Sequence, residues 1–361
     1  MKKVHFIYAI LLYIGAVFYL ASTTPISPHE AKIFYNASNI VSYLMHQGQI
    51  LVDGFLGLRI FFIGFGFVSI ILFYQVSKRH FTADSDRYIA TSIFMLLPGM
   101  LTGIVLANIS IVVLSIVLLF IHLYEKGDKI IWPFLLLILF FIHEASMIFF
   151  FALLLYAFRH KDRYLGILSL TFLITFIVLS KGIDISGRPI GHFVEIFGLY
   201  VTLFSPFLFL YFFYATYRIL LREKKSLVWY ISYTALLFSL LLSLRQRIYI
   251  TDFAPYMLFS VILMLETYHN SIRVRLPQFQ TYYKKGFTFV IGFLLVTASL
   301  VVFHKPIYDF MGHSSKHFAQ RIYYPYTLAL ALKAKNIHCF DDAKGREAYQ
   351  LKYYQIETCS H

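Results

Sequence analysis

The feature that most constrains this chain is the recurrence of long apolar runs separated by short basic loops. Crossing the roughly 30 Å hydrocarbon core of a bilayer takes about 20 apolar residues per helix. The sequence offers such runs at 5–22, 56–76, 88–105, 107–124, 130–142, 145–158, 164–180, 194–217, 226–244, 253–267 and 286–304. They predict an all-α polytopic membrane protein of about eleven transmembrane helices. Of the 361 residues, 59% are hydrophobic and only 14% charged, against about 25% charged in soluble domains. The stretch 130–158 is read as two short helices turning at His143-Glu144, because an ionisable pair at mid-bilayer costs about 2.5–3.5 kcal/mol per charged residue.

The net charge of +14 is not a nucleic-acid footprint. The basic residues lie in loops, and they alternate in the way that sets membrane orientation. With Lys2 and Lys3 inside, the inner loops collect Lys78, Arg79, Arg87, Lys126, Lys129, Arg159, Lys161 and Arg163. Further inner positions are Arg218, Arg222, Lys224, Lys225, Arg273, Arg275, Lys284 and Lys285. The outer side between spans holds only Lys32, Arg59, Lys181, Arg188, Arg245 and Arg247. The expectation is a bacterial inner-membrane protein with its N-terminus in the cytoplasm and its C-terminal tail outside. The first apolar run lacks a clear small-x-small cleavage site and reads as a span rather than a cleaved signal.

Two regions follow: a membrane domain over 1–304 and an extracytoplasmic tail over 305–361. The tail is more polar and holds both cysteines, Cys339 and Cys359. An oxidising compartment permits a disulfide between them. A short helix is expected over 326–335. No P-loop or dinucleotide fingerprint occurs, no cofactor is expected, and any need for a divalent metal is left open.

The outward residues carry the chemistry. From Pro28 to about Gln47 the first outer loop has helical periodicity, with Ile33, Phe34, Ala37, Ile40, Val41 and Leu44 on one face. It predicts one amphipathic interfacial helix, opened by a Ser27/Glu30 capping box with Pro28 at its first position. Glu30 is either that cap or an outward catalytic carboxylate, with His29 beside it. Arg245 and Arg247 stand where positive charge is disfavoured. They are candidate phosphate forks, with Tyr249 nearby, or they pair with Asp252 and snorkel to the interface. Arg59 is a further substrate-binding candidate or a partner for Asp53. His143 and Glu144 either close a tight helix turn or line a binding site. The glycine-rich loop 181–192, with Asp184 and Arg188, reads as a lid or a plain connection.

The order of a first span, an outer loop opening Ser27-Pro28-His29-Glu30-Ala31-Lys32-Ile33-Phe34-Tyr35, an amphipathic segment and then Leu58-Arg59-Ile60-Phe61-Phe62 resembles the GT-C membrane glycosyltransferases. The nearest likeness is to the family-39 and lipid A aminoarabinose transferase group. Phe238, Ser239, Arg245, Tyr249 and Pro255 loosely match a later family segment, and the likeness in layout covers roughly 1–260. The resemblance implies transfer of a sugar from a polyprenyl-phosphate carrier to a lipid or glycan acceptor on the outer face. In that reading Glu30 is the base or acceptor contact, and the arginines hold the phosphate. The chain departs from the pattern where His29 replaces the first acid, where the Pro-Pro segment is missing, and where Ala107-Asn108-Ile109-Ser110 carries no carboxylate. Ile142-His143-Glu144-Ala145-Ser146 is similar instead to a segment of EpsG- or Wzy-type polysaccharide polymerases. A non-catalytic transport or assembly protein is a third reading, and the lack of an internal repeat counts against transport.

Overall fold

A computed structural model describes residues 1–179, 192–311, 319–340 and 345–359. The loop expected as a lid, with Asp184 and Arg188, lies outside the described residues.

The described residues form helices and connections, with one isolated bridge between Cys339 and Glu357. In chain order the helices begin with α1 (Lys3–Thr23), α2 (Pro28–Asn36), α3 (Ile40–Leu51), α4 (Ile60–His80), α5 (Asp84–Leu96) and α6 (Pro98–Val105). Then come α7 (Ile109–Lys126), α8 (Trp132–Ile142), α9 (Ser146–His160), α10 (Arg163–Leu179), α11 (Phe193–Phe204), α12 (Pro206–Arg222) and α13 (Leu227–Ser243). The last are α14 (Ile250–Phe253), α15 (Val261–Val274), α16 (Pro277–Val302), α17 (His304–Phe310), α18 (Gln320–Ala334) and α19 (Arg346–Tyr353). Each apolar run of the sequence is mainly helical over its described residues. Among the described residues, four helical stretches are long and apolar enough to cross a membrane, and up to seven if each bent pair is one span. Large apolar side chains such as Leu12, Ile71 and Val296 stand exposed on these helices, as do Phe141, Phe158 and Val178 on the shorter α8, α9 and α10. Water would leave that surface unmatched and lipid covers it, so the fold is compatible with a multi-pass helical membrane protein.

Three expected straight spans are broken: 253–267 bends by 41° at Met257, and the other two break at prolines. The run 88–105 divides into α5 and α6 with a bend of 60°, and 194–217 divides into α11 and α12 with a bend of 105°. Each of these two breaks falls just before a proline, Pro98 or Pro206. Proline has no N–H to continue the ladder and drives its predecessor out of the α region. Leu97 accordingly has ψ 128°, and Ser205 has φ 80° and ψ 152°.

The amphipathic segment is also divided, into α2 and α3. The expected capping box is present: Ser27 Oγ accepts from the Glu30 N–H, and Glu30 reaches back to the Ser27 N–H. The helix stops at Ala37, whose backbone is extended, and Asn39 caps α3 through the Ser42 N–H.

By contacts the chain divides into two compact units. The first comprises Met1–Ala9, Gly66–Leu101 and Ile109–Ala298, and the second Ile10–Phe65, Thr102–Asn108 and Ser299–His361. In the first unit α9 packs on α10 and α13, α7 on α8, and α12 on α11 and α15. In the second, the tail and the first loop share one core. There α19 packs on α2 and α18, and Ala329, Leu351 and Ile356 form a buried cluster with Phe340 and Tyr354 beside it. The tail helix is longer than expected, because α18 begins at Gln320. Cys339 and Cys359 are joined. Closing a loop of 20 residues restricts the unfolded tail by about 3 kcal/mol in chain-entropy terms.

Candidate functional site

In the second unit Glu30 and Arg59 are brought together and both are buried, at 1% and 0% exposure. The approach of the chain is set by two glycines. A Cβ on Gly57 would stand 1.8 Å from the Val52 carbonyl oxygen, and one on Gly48 would stand 2.1 Å from the Gly57 oxygen. That closeness lets the turn after α3 deliver Arg59 beneath the start of α2. Arg59 Nε donates to Glu30 Oε1 and Nη2 to Oε2, each at 3.0 Å. Its other N–H groups go to the carbonyls of Ala21, Thr24 and Pro25 at 3.0, 2.6 and 3.0 Å. Arg59 therefore meets Glu30 rather than Asp53, and its donors are engaged within the chain.

Glu30 is equally occupied. Besides Arg59 it accepts from the N–H of Ser27 at 2.8 Å and of Ala107 at 2.9 Å. Burial pushes its carboxyl up. The Arg59 charge, the Arg59 hydrogen bonds and the two backbone donors more than offset this, leaving it below the ordinary value of 4.5. The tail encloses the same region. Gln350 donates to the Ile26 carbonyl at 2.8 Å, Tyr354 accepts from the Ile26 N–H at 3.3 Å, and Gln49 donates to Tyr353 at 2.6 Å. His29 is exposed on the first turn of α2. Desolvation and the charge of Arg346 hold its imidazole below the usual value. The arrangement is that of a structural fastening among the end of α1, the segment that opens α2 and the tail.

In the first unit the two other candidate features meet. Glu144 lies between α8 and α9, and Arg247, Tyr249 and Asp252 follow α13. All four line one cleft of about 500 Å³. Its walls are apolar, with Met147, Ile148, Phe176, Phe238, Leu242 and Phe253. His143 is buried directly behind it. Its Nδ1 lies 3.1 Å from the Tyr256 hydroxyl, and its Nε2 lies 4.0 Å from Asp252 Oδ1. Burial pushes the His143 imidazole down to about 4, so it is neutral at pH 7. Where the Tyr256 O–H donates to Nδ1, the ring proton lies on Nε2, the nitrogen nearer Asp252.

Arg247 pairs with Glu195, not with Asp252. Its Nε and Nη2 donate to Glu195 Oε1 at 2.8 and 2.5 Å, and His192 lies 3.1 Å from the same carboxylate. Arg245 is exposed and its side chain has no partner among the described residues. Tyr249 is 71% exposed.

Sequence reasoning named Asp252 only as a charge partner and missed Glu195, His192 and Tyr256. Glu195 carried a usable signal, since a lone carboxylate at the head of an apolar run is costly and asks for a partner. Tyr256 carried none among 28 tyrosines. Chemically, the cleft offers two carboxylates able to take a proton, an arginine able to hold an oxyanion, and apolar walls suited to a lipid chain. No protein-family model matches this chain, and no curated protein does either.

Proposed function

We propose that this protein is a membrane glycosyltransferase that moves a sugar from a polyprenyl-phosphate carrier to a lipid or glycan acceptor on the outer face of the bacterial inner membrane. The observation that carries this reading is the meeting of Glu144, Arg247, Tyr249 and Asp252 in one apolar-walled cleft. A carrier of this kind needs an apolar wall for its chain, a cation for its phosphate and a base for the acceptor. Arg245 and Arg247 hold the phosphate through charge-assisted hydrogen bonds. Asp252, beside neutral His143, takes the proton of the acceptor hydroxyl. The acceptor oxygen bonds to the sugar C1, the C1–O(phosphate) bond breaks, and the phosphate leaves with the electron pair. Tyr249 offers a ring face to the sugar, and Glu144 an acceptor for its hydroxyls.

The centre of this site is His143 and the arginines, not Glu30. That favours the arrangement expected of a polysaccharide polymerase, in which the acceptor is itself a carrier-linked glycan. No cofactor enters the reading.

The experiment is transfer of a labelled sugar from a polyprenyl-phosphate donor by wild type and by Arg245→Ala/Arg247→Ala. Each lost charge-assisted contact is worth about 1.5–3 kcal/mol, so kcat/KM is expected to fall by about a hundredfold or more, mostly through KM for the donor. Unchanged donor kinetics, or no transfer by wild type from any carrier-linked donor, would overturn the reading.

Orientation belongs to the same proposal. The seven spans obtained by counting each bent pair once, with the four shorter apolar helices, support eleven crossings. An odd number separates the N-terminus from the tail, and the tail shares its core with the first outer loop. A reporter placed after His361 should behave as extracytoplasmic, and Cys339 and Cys359 should resist thiol labelling in unreduced, unfolded protein. A cytoplasmic reporter signal or two free thiols would contradict it.

A further inference from the structure

At the other ends of α12 and α15, away from the cleft, the first unit carries a basic groove that the proposed reaction does not use. Arg218, Arg222 and Arg275 line a cleft of about 560 Å³ with Tyr214 and Tyr217. A second cleft of about 530 Å³ adjoins it, sharing Arg275 and continuing along α16 past Phe279, Tyr282 and Phe287. Phe279 and Tyr282 are exposed along it, an aromatic wall suited to acyl chains.

The charges in the groove are poorly compensated. Arg218 is tied to Glu223 at 3.2 Å and donates to Tyr214 and Ser271. Arg222 and Arg275 are exposed. Neither has a carboxylate partner among the described residues, and Arg275 instead lies 4.4 Å over the Tyr283 ring. The groove thus presents forked cations at one end and an aromatic wall at the other.

We infer that the groove seats the headgroup of an anionic diacyl phospholipid, with its phosphate among Arg218, Arg222 and Arg275 and its acyl chains along α16. The combination selects this occupant. A soluble phosphate would leave the apolar wall unused, and a zwitterionic lipid brings its own cation to a site that already has three. Basic pockets between spanning helices on the cytoplasmic side recognise anionic headgroups in this way, and this end of α12 carries the basic residues assigned to the inner face. Arginine suits the role because its planar fork meets phosphate oxygens two at a time.

The test is native mass spectrometry of the full chain purified in detergent, titrated with phosphatidylglycerol or phosphatidylcholine of matched acyl chains. Each basic residue near an anionic headgroup contributes a factor of about five in affinity. Wild type should therefore retain phosphatidylglycerol at least about tenfold better than phosphatidylcholine. Arg222→Gln/Arg275→Gln should lose about twenty-fivefold in phosphatidylglycerol binding, while Arg222→Lys/Arg275→Lys, which keeps the charge but not the fork, loses less. Millimolar inorganic phosphate should not displace the lipid. Equal retention of both lipids by wild type overturns the inference without any variant. So does undiminished phosphatidylglycerol binding by the folded glutamine variant, or displacement by free phosphate.

Discussion

Glu30→Gln should lower the stability of the protein by about 3–5 kcal/mol, the usual cost of stripping one partner from a buried ion pair. The reason is the fully enclosed guanidinium of Arg59, which keeps its charge when the carboxylate is neutralised. The amide that replaces the carboxylate has one accepting oxygen for the donors now shared between two, so part of the loss is unsatisfied hydrogen bonding. Arg59→Gln should cost a similar amount by exposing the carboxylate and three backbone carbonyls to the same deficit. The two losses should not add. In Glu30→Gln/Arg59→Gln no buried charge remains, and the double variant should lie well above the sum of the singles. Melting of the four proteins in one detergent measures this. Additive losses would mean that the pair is not the fastening described. The sign with pH is fixed by the lowered carboxyl. The stabilisation is fully present above the ordinary value of 4.5 and fades as pH falls through the depressed one, so the protein should be insensitive to this pair near neutrality.

Asp252→Asn should leave stability within about 0.5 kcal/mol, as partly exposed surface substitutions do, and should lower the turnover of sugar transfer by about 10²–10⁴-fold, the range of a positioned base. Asp252 is 41% exposed at its side chain, and its nearest described cation-forming neighbour is neutral His143 at 4.0 Å. Little folding energy is therefore at stake, while the group stands free to meet a hydroxyl. The isosteric amide keeps the shape and removes the base. Full turnover by Asp252→Asn with a demonstrated carrier-linked donor would remove Asp252 from the chemistry.

Much of the helical layout was legible because periodicity and length are local. The apolar runs became helix, and the Ser27/Glu30 box formed as its spacing implies. The breaks at Pro98 and Pro206 were also written in the sequence. They were overridden in the reading by the continuity of hydrophobicity across them, although proline acts on the backbone whatever its neighbours' polarity. The division of α2 from α3 had a quieter signal in Asn39, a residue suited to starting a helix rather than continuing one. The site was legible only in pieces. His143-Glu144 and Arg245–Asp252 were each marked by charge next to apolar runs, but they lie far apart in the chain, and no local pattern says that α8, α9 and α13 bring them to one cleft. The pairing of Glu30 with Arg59 was hidden for the same reason. Each was singled out as a charge facing outward. The packing that buries them depends on Gly48, Gly57 and a tail whose Gln350 reaches Ile26 across 324 positions of sequence.

The most direct test compares transfer per folded molecule by Glu30→Gln and by Asp252→Asn, with Glu30→Gln/Arg59→Gln as the folded substitute should the single Glu30 variant be lost from the membrane. If the cleft of Glu144, Arg247 and Asp252 is the site of transfer, the Glu30 variants keep their specific activity though less protein survives, and Asp252→Asn loses about 10²-fold or more. The opposite pattern, with full activity in Asp252→Asn and none in folded Glu30 variants, would contradict the account and return the chemistry to the first outer loop.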